Sequence, residues 1–354
     1  MVKKIIAGAV SVFVPAVLFA YNPPVSGESL DRLTSPAQLT SASSSAGGGL
    51  FSAGPDSIVF NPALIAYEQR ITLDLGYTAL FSSDNPDNAY GAAFGTGILV
   101  PWKWFVGSGI IKGDFLPFDE MNAGNTLGTN IGIAKEVSEH LSVGAGINSG
   151  VFWGAGSDWS LGADIGVLYR LPQLGFMKDF RIGVSMLNLG KNYGNTTLPG
   201  ISSDDDTGSF PQIATLRTGA AAVLFSSNNF KGGASLDFAV PGFQNLIIDT
   251  GLQLSFNDML YLRASEEVNI RESIAGHADY MPSVSLGYRF TFSAKNNKYL
   301  EKNGWSQSEM TTSAAWQQLY QTVNACSLGV RMNLGMQDTD PPRIELWNGE
   351  EDQK

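Results

Sequence analysis

Apolar and polar residues alternate along this chain from Arg70 onward. In residues 71–81, apolar side chains fall on every second position, and Thr72, Asp74 and Thr78 lie between them. Residues 140–153 repeat the pattern. A period of two predicts a β-strand with one apolar and one polar face. Further segments of this kind are 90–101, 104–112, 126–136, 159–170, 179–189, 215–225, 229–240, 245–256, 259–269, 282–293 and 325–335.

These segments predict an all-β protein, an antiparallel transmembrane β-barrel. Their lengths suit tilted membrane strands, which need about 9–11 residues. Long and short connections alternate, as in an up-and-down barrel with short periplasmic turns and long outer loops. A soluble sandwich is the alternative, but its outward faces would carry more Lys, Glu and Arg. Bacterial barrels have an even number of strands, so one more is needed, and residues 306–318 suit either a polar strand or a short helix.

Aromatic residues lie near the ends of the predicted strands. Rings at such positions suit the interfacial girdles of a barrel, where an amphipathic ring lies at the level of the lipid headgroups. The candidate girdle residues are Tyr77, Phe81, Tyr90, Trp102, Trp104, Trp153, Trp159, Tyr169, Tyr261, Tyr288 and Phe290. The opposite side of the strands is rich in small residues, which predicts an interior cavity.

The N-terminus has the pattern of an export signal. Lys3 and Lys4 precede an apolar stretch, residues 5–19, and Ala20 supplies a small residue for cleavage. The stretch is shorter than the roughly 20 residues of a spanning helix. We therefore predict an exported protein of the bacterial outer membrane with a signal peptide at 1–20, a leader and hatch at 21–69, the barrel at 70–336 and an acidic periplasmic tail at 337–354.

Composition agrees with a barrel and narrows the partners. The chain has 40 glycines in 354 residues, 16% charged residues and a mean hydropathy of +0.00. It is too polar for a helical membrane protein and sparsely charged for a soluble one. The formal net charge of −11 becomes −13 without Lys3 and Lys4. No nucleic-acid partner is expected, because phosphate binding needs a basic surface.

The sequence favours a protein without catalytic or metal chemistry. Cys326 has no second cysteine to pair with and is predicted as a small buried strand residue. His140 and His277 lack the spacing of metal ligands and suit turns or the surface. His277 with Asp279 could form a catalytic pair, and Asp204-Asp205-Asp206 could bind Ca²⁺, but solvated loops explain both better. We expect no enzyme, no metal and no cofactor.

Residues 45–64 carry a distinctive motif ahead of the strands. Gly47, Gly48 and Gly49 permit backbone conformations closed to other residues, and Pro62 biases Asn61 away from the helical region. The small-residue run, Asp56 and Asn61-Pro62-Ala63 together resemble the N-terminal hatch of FadL-type outer-membrane transporters of hydrophobic compounds. The resemblance implies a fourteen-stranded barrel whose lumen is plugged by a hatch.

The resemblance also implies ligands and partners. FadL-type proteins pass long-chain fatty acids or other hydrophobic compounds through a lumen gated by the hatch. A fatty-acid carboxylate would pair with a lumen cation, and Arg217, Lys231 and Arg263 lie in predicted strands. The expected partners are outer-membrane lipid, a hydrophobic small-molecule ligand, the barrel-assembly machinery and a periplasmic partner of the acidic tail. The candidate ligand contacts, unless they only pack the hatch, are Leu50, Phe51, Ile58, Val59, Phe60 and Leu64.

Two other functions also fit the sequence. The same scaffold serves PorV-like proteins as a membrane platform for a secretion or surface-assembly partner, and loops 190–214 and 270–281 could make the protein an adhesin or antigen. The tail carries a net charge of −4 over residues 337–354, and Asp340-Pro341-Pro342 stops any strand. Such a tail resembles a spirochaetal branch of the family. The last strand lacks the terminal aromatic residue that barrel-assembly machinery commonly reads.

Overall fold

The protein is a closed antiparallel β-barrel. The computed structural model describes residues 32–40, 44–82, 90–116, 124–153, 157–191, 213–276, 281–293, 307–319 and 323–335. Within these ranges, fourteen strands each pair with their neighbours in sequence, and the first pairs with the last. The predicted fold class and strand number are therefore confirmed. The strands are β1 Ile71–Ser82, β2 Tyr90–Pro101, β3 Val106–Leu116, β4 Gly124–Ser138, β5 Leu141–Trp153, β6 Ser157–Leu174, β7 Met177–Lys191, β8 Thr215–Ser226, β9 Phe230–Pro241, β10 Ile247–Phe256, β11 Leu260–Asn269, β12 Ser283–Ser293, β13 Gln307–Leu319 and β14 Val323–Leu334.

Pairing of β1 with β14 closes the barrel and defines its two ends. The register runs from Ile71 opposite Leu334 to Ser82 opposite Val323. β1 begins and β14 ends at the same end of the barrel, which we call the terminal end. The opposite end, where β1 leads toward β2, is called the far end.

The alternation seen in the sequence separates an apolar outer surface from a polar interior. On the outside, Leu75, Ile131 and Leu328 are 58%, 63% and 65% exposed, whereas inward-facing Thr72 and Ser142 are fully buried. Large apolar side chains on the outside of a closed barrel suit contact with lipid. A membrane is therefore the natural surrounding of this surface.

The unassigned region near residue 306 contains β13. It pairs with β12 from Val284 opposite Trp316 to Ser293 opposite Gln307, and with β14 from Glu309 to Leu319. Residues 306–318 thus contribute a polar strand, not a helix. Each of the other predicted segments overlaps one observed strand.

Two residues face the opposite way from the prediction. Cys326 lies in β14 as expected but is exposed on the outer face, not buried, because it is in phase with Leu328 and Val330. Tyr261 was predicted for an outer girdle but is only 8% exposed and faces the interior. The other predicted girdle rings are all on the outside. A ring near a strand end is thus assigned to the outer face only when its phase along the strand agrees.

Short helices complete the described part of the chain. They are α1 Pro36–Leu39, two 3₁₀ helices, Pro55–Val59 and Pro62–Tyr67, and α2 Ile270–Ala275. None of the described helices is long and apolar enough to cross a membrane. His140 lies at the turn between β4 and β5. The predicted signal peptide, Asp204-Asp205-Asp206, His277, Asp279 and the acidic tail lie outside the described residues.

Candidate functional site

Residues 44–69, called the inner segment here, lie inside the barrel toward its terminal end. Ala46, Leu64 and Ile65 are at most 1% exposed. One apolar cluster joins Ile58, Phe60 and Ile65 to the terminal ends of β2 and β3, at Leu99 and Val106. A second joins Ala46 and Leu64 to Leu168 in β6 and Ala221 in β8. Residues 33–39 pack nearer the far end, against Leu80 and Leu319.

The glycine run brings the inner segment into direct contact with the barrel wall. Gly47 has φ +76°, a left-handed conformation that favours glycine. A Cβ at Gly49 would lie 2.3 Å from the backbone carbon of Gly233 in β9, and one at Gly233 would lie 2.4 Å from the Gly49 oxygen. Both positions therefore require glycine for this backbone contact.

Asn61 holds the second half of the motif in place. Its Oδ1 accepts a hydrogen bond from the Ala63 amide at 2.9 Å, which caps the 3₁₀ helix that begins at Pro62. Its Nδ2 donates to the Ser45 carbonyl at 2.7 Å and to the Val167 carbonyl in β6 at 3.1 Å. This fully buried side chain thus links the two halves of the inner segment to each other and to the wall.

Arg181 in β7 binds the glycine run. Its Nη2 donates to the Gly48 carbonyl at 2.8 Å, and its guanidinium lies 4.5 Å from the centre of the Phe51 ring. The side chain is completely buried. The wall is irregular here: Asp179 has φ +48°, and the pairing of β7 with β8 shifts between Lys178 and Arg181. The bulge accompanies the inward direction of Arg181.

Two ionic networks connect the N-terminal residues to the wall. Toward the far end, Arg32 pairs with Asp249 and Glu267, and Arg217 pairs with Asp237 at 2.8 Å. Asp237 also accepts hydrogen bonds from the amide of Ser45 at 2.8 Å and from its hydroxyl at 2.6 Å. Burial lowers the pKa of the Arg32 guanidinium from its usual range. Hydrogen bonds to Asp237, a carboxylate paired with Arg217, thus fix the start of the inner segment against β9.

The second network lies at the closure of the barrel. Arg331 in β14 contacts Asp56 of the inner segment at 2.8 Å and Asp74 of β1 at 2.5 Å. Arg70, directly ahead of β1, contacts Glu68 at 2.9 Å and Glu309 of β13 at 2.6 Å. The inner segment therefore shares its charges with the strands that close the sheet.

A cavity lies on each side of the inner segment. Toward the far end, a space of about 50 Å³ is bordered by Val59, Phe60, Leu187 and Ile247. Toward the terminal end, a cavity of about 550 Å³ is bordered by Leu50, Phe51 and Tyr67 of the inner segment and by charged wall residues. Burial raises the pKa of the Tyr67 phenol above its ordinary value. The inner segment thus stands between the two spaces.

The comparisons with known proteins agree with this architecture. No family model matches the sequence, and no curated protein is significantly similar to it. Among solved structures, a ΔS2 mutant of the TodX monoaromatic hydrocarbon channel of Pseudomonas putida has a TM-score of 0.54 at 12% identity, covering 87% of this chain and 100% of that one. The CymD monoaromatic hydrocarbon channel has a TM-score of 0.52 at 13% identity, covering 91% and 100%. A FadL homologue from Pseudomonas aeruginosa gives 0.49 at 12% identity, covering 85% and 98%.

The chain has the FadL-type barrel fold. At these identities the similarity concerns the fold, and the fold resemblance inferred from the sequence is confirmed. The role of the inner segment as a hatch remains a prediction.

Within the FadL-type fold, the six predicted ligand contacts occupy three environments. Leu50 and Phe51 border the larger cavity. Val59 and Phe60 border the smaller one. Ile58 and Leu64 are 2% and 1% exposed and lie within apolar clusters. The structure therefore brings four of the six residues to the edge of a cavity, and two of them, Leu50 and Phe51, to the cavity of about 550 Å³.

The three strand cations named from the sequence all face the interior. Arg217 joins the network at Asp237, with its guanidinium 4.7 Å from the centre of the Phe60 ring. Lys231 and Arg263 border the larger cavity. Sequence reasoning missed Arg181, Arg289 and Arg331, which also face inward. The sequence did contain a signal for this direction. Each arginine is next to an outward-facing apolar residue, Ile182, Phe290 or Val330, so alternation along the strand places it on the inner face.

The small residues on the inner faces serve mainly as contact surface. A Cβ at Gly183 would lie 1.9 Å from the Ser45 carbonyl oxygen, and one at Gly166 would lie 2.0 Å from Asn61 Oδ1. The sequence predicts that small inward residues leave a cavity. At these strands they instead make room for the inner segment, and most of the residues around the larger cavity are polar or charged.

Proposed function

We propose that this protein is an outer-membrane transporter for hydrophobic compounds, and that the inner segment controls their passage. The observation that carries the proposal is the inner segment inside a closed barrel, with one cavity on each side. The hydrocarbon channels that share the fold support the choice of hydrophobic cargo. Long-chain fatty acids are the finer proposal for the cargo.

The outer surface supports a location in the outer membrane. The outward side chains form an apolar surface, with rings such as Tyr90, Trp102 and Trp159 more than half exposed near the strand ends. Outer-membrane barrels have an apolar band with aromatic residues at both interfaces. Export would follow from the predicted signal peptide at residues 1–20.

In the proposed route, a compound enters at the far end and first meets Val59 and Phe60. Burial of each CH₂ group contributes about 0.8 kcal/mol, which favours leaving water for such contacts. The inner segment then has to shift before the compound reaches Leu50 and Phe51. The contacts that resist this shift are those of Asn61, Arg181 and Asp237. Each is a hydrogen bond that can re-form after passage.

An uptake assay in intact cells tests the proposal. The full chain is expressed in a Gram-negative host that lacks its own fatty-acid channel, and uptake of a labelled long-chain fatty acid, a monoaromatic hydrocarbon and a hydrophilic sugar is measured. We expect faster uptake of the fatty acid, and unchanged uptake of the sugar. Uptake at the level of host cells without the protein would overturn the proposal and leave the platform function as the better hypothesis.

Matched variants connect the assay to the inner segment. Phe51→Ser and Phe60→Ser each remove an apolar contact at one cavity. Loss of such burial corresponds to about 1.5–3 kcal/mol, so uptake and the amount of ligand retained in native mass spectrometry should fall about tenfold or more. Phe176→Ser is the control, because Phe176 is 75% exposed at the turn between β6 and β7. Equal effects of all three variants would contradict a specific role for the inner segment.

A further inference from the structure

Two guanidinium groups near one tyrosine ring border the larger cavity. Arg263 lies in β11 and Arg289 in β12, and both border the cavity. The register pairs Tyr261 with Gly287 and Arg263 with Ser285, so these arginines lie on the same face of adjacent strands. Their guanidinium carbons are 6.0 Å and 4.8 Å from the centre of the Tyr261 ring. The Tyr261 hydroxyl donates to the Asp258 carbonyl at 2.9 Å, which fixes the position of the ring.

These two cations differ from the others around the cavity. Arg170 pairs with Asp179 at 2.5 Å, Lys231 with Asp258 at 2.7 Å, and Arg331 with Asp56 and Asp74. Within the described part of the chain, neither Arg263 nor Arg289 has a carboxylate within ion-pair distance. The Nε of Arg289 is buried without a hydrogen-bond acceptor. A buried donor without a partner is unfavourable unless something entering the cavity accepts its hydrogen bond.

We infer that Arg263 and Arg289 form a binding site for the carboxylate of a compact organic acid. This inference deepens the proposed transport function and rests on it. Guanidinium groups recognise carboxylates through paired, charge-assisted hydrogen bonds. The apolar body of the acid contacts Leu50 and Phe51, which border the same cavity. The Leu50 amide donates to Gln253, the cross-strand neighbour of Arg263, so an apolar side chain lies close to the guanidinium.

The shape and charge of the cavity favour this ligand over a long neutral hydrocarbon. Its volume of about 550 Å³ holds a compact molecule, and most of its border is polar or charged. A neutral chain would displace water from unpaired guanidinium groups without replacing the hydrogen bonds, which costs affinity. The site lies on the terminal side of the inner segment, so it binds the acid after passage. It therefore places organic acids among the compounds that the barrel carries.

A titration with matched probes tests the site. The full barrel in neutral detergent is titrated calorimetrically at pH 7.5 with octanoate, octan-1-ol and acetate, and heats from empty micelles are subtracted. Octanoate should bind at least tenfold more tightly than octan-1-ol, because only the acid supplies an oxyanion. Acetate should bind more weakly than octanoate, because it has almost no apolar body.

Variants assign the binding to the two arginines. Arg263→Gln and Arg289→Gln should each weaken octanoate binding about tenfold or more and leave octan-1-ol binding unchanged. Arg263→Lys and Arg289→Lys keep the charge and should retain part of the affinity, which keeps the test informative if a glutamine variant misfolds. Lys103→Gln is the control, since Lys103 is exposed in the turn between β2 and β3 at the same barrel end.

The outcomes separate the site from the proposed function. Unchanged octanoate affinity in both glutamine variants, with octan-1-ol still bound, would overturn the anion site and leave transport of hydrophobic compounds standing. Failure of wild type to bind octanoate would also overturn the site. Octanoate binding that depends on both arginines, in a protein without uptake of hydrophobic compounds, would support the site and overturn the proposed transport function.

Discussion

The backbones of Gly49 and Gly233 are in direct contact, so a side chain at either position should destabilise the protein. Gly49→Ala places a methyl group 2.3 Å from the Gly233 backbone, where no side chain can yield. Overpacking of this kind costs about 1–3 kcal/mol. We expect a lower unfolding midpoint and faster proteolysis within residues 44–69, measured by thermal unfolding and limited proteolysis in detergent.

Gly109→Ala is the matched control for this substitution. Gly109 lies in β3, and the nearest atom to an added Cβ is the Asn130 oxygen at 4.0 Å. This variant should unfold like wild type. If Gly49→Ala does the same, the contact between the inner segment and β9 is looser than described.

Predictions for single residues succeeded where the conformation depends on neighbours in the sequence. The sequence predicted that Pro62 would bias Asn61 away from the helical region, and Asn61 has an extended backbone with φ −161° and ψ 109°. Arg181 was not predicted, because its partners Gly48 and Gly49 lie more than 130 positions away. Tyr261 was assigned to the wrong side because its position near a strand end outweighed its phase. Contacts between distant segments carry no signal in a single sequence.

Within the single strand β14, adjacent residues face the outside and the interior of the barrel. Cys326 faces outward, and Ser327 is 1% exposed and faces inward. In lipid bilayers, we expect Cys326 to react with an apolar maleimide and to resist a charged one. The measurement is the extent of labelling by mass spectrometry.

The control for this labelling is Ser327→Cys combined with Cys326→Ala. A thiol at position 327 should resist both reagents, because the hydroxyl there is enclosed between Thr78 and the barrel interior. Rapid labelling of Cys326 by the charged reagent would mean that the outer face of β14 contacts water.

The ion pairs of Arg331, at the closure between β1 and β14, should contribute to the stability of the barrel. Arg331 neutralises Asp56 and Asp74, whose side chains are 5% and 10% exposed. Arg331→Met leaves both carboxylates buried without a counter-charge, which should cost about 3 kcal/mol. The free energy of unfolding in denaturant is the measurement.

A compensating variant tests the cause of this loss. Arg331→Met combined with Asp56→Asn and Asp74→Asn removes the uncompensated charges and should recover most of the stability. If the triple variant is no more stable than Arg331→Met, packing of the Arg331 side chain matters more than its charge.

A strand could be predicted from the sequence when one of its faces is apolar and the other polar. β5 alternates exposed Val143, Ile147 and Val151 with buried Ser142 and Asn148, and its period is clear. In β13, the outward positions include Thr312 and Ala314, so both faces are polar or small and the period disappears. Its pairing with β12 and β14 decides the conformation. The strand conformation of β13 therefore depends on its place in the closed barrel, because its local sequence has no clear period of two.

At the scale of the whole molecule, the sequence predicts a barrel and a preceding motif but not how they fit together. The cavities arise where the inner segment fails to fill the lumen. Their positions depend on side chains from ten of the fourteen strands. All four of Leu50, Phe51, Ile58 and Leu64 are apolar, but only Leu50 and Phe51 border the larger cavity. Which residues could meet a ligand is thus a property of the assembled barrel.

Movement of the inner segment during transport can be blocked by a cross-link to the barrel wall. Thr40 Oγ1 lies 2.8 Å from Ser285 Oγ in β12, so Thr40→Cys with Ser285→Cys should form a disulfide in a Cys326→Ala background. Residues 41–69 are then held at both ends, by the disulfide and by β1. Because the proposed route requires a shift of the inner segment, the disulfide should slow fatty-acid uptake by intact cells, and a reductant should restore it. Each single-cysteine variant, treated with the same oxidant, should transport like the Cys326→Ala background. Full uptake through the cross-linked protein would show that the compound passes without displacement of the segment as a whole.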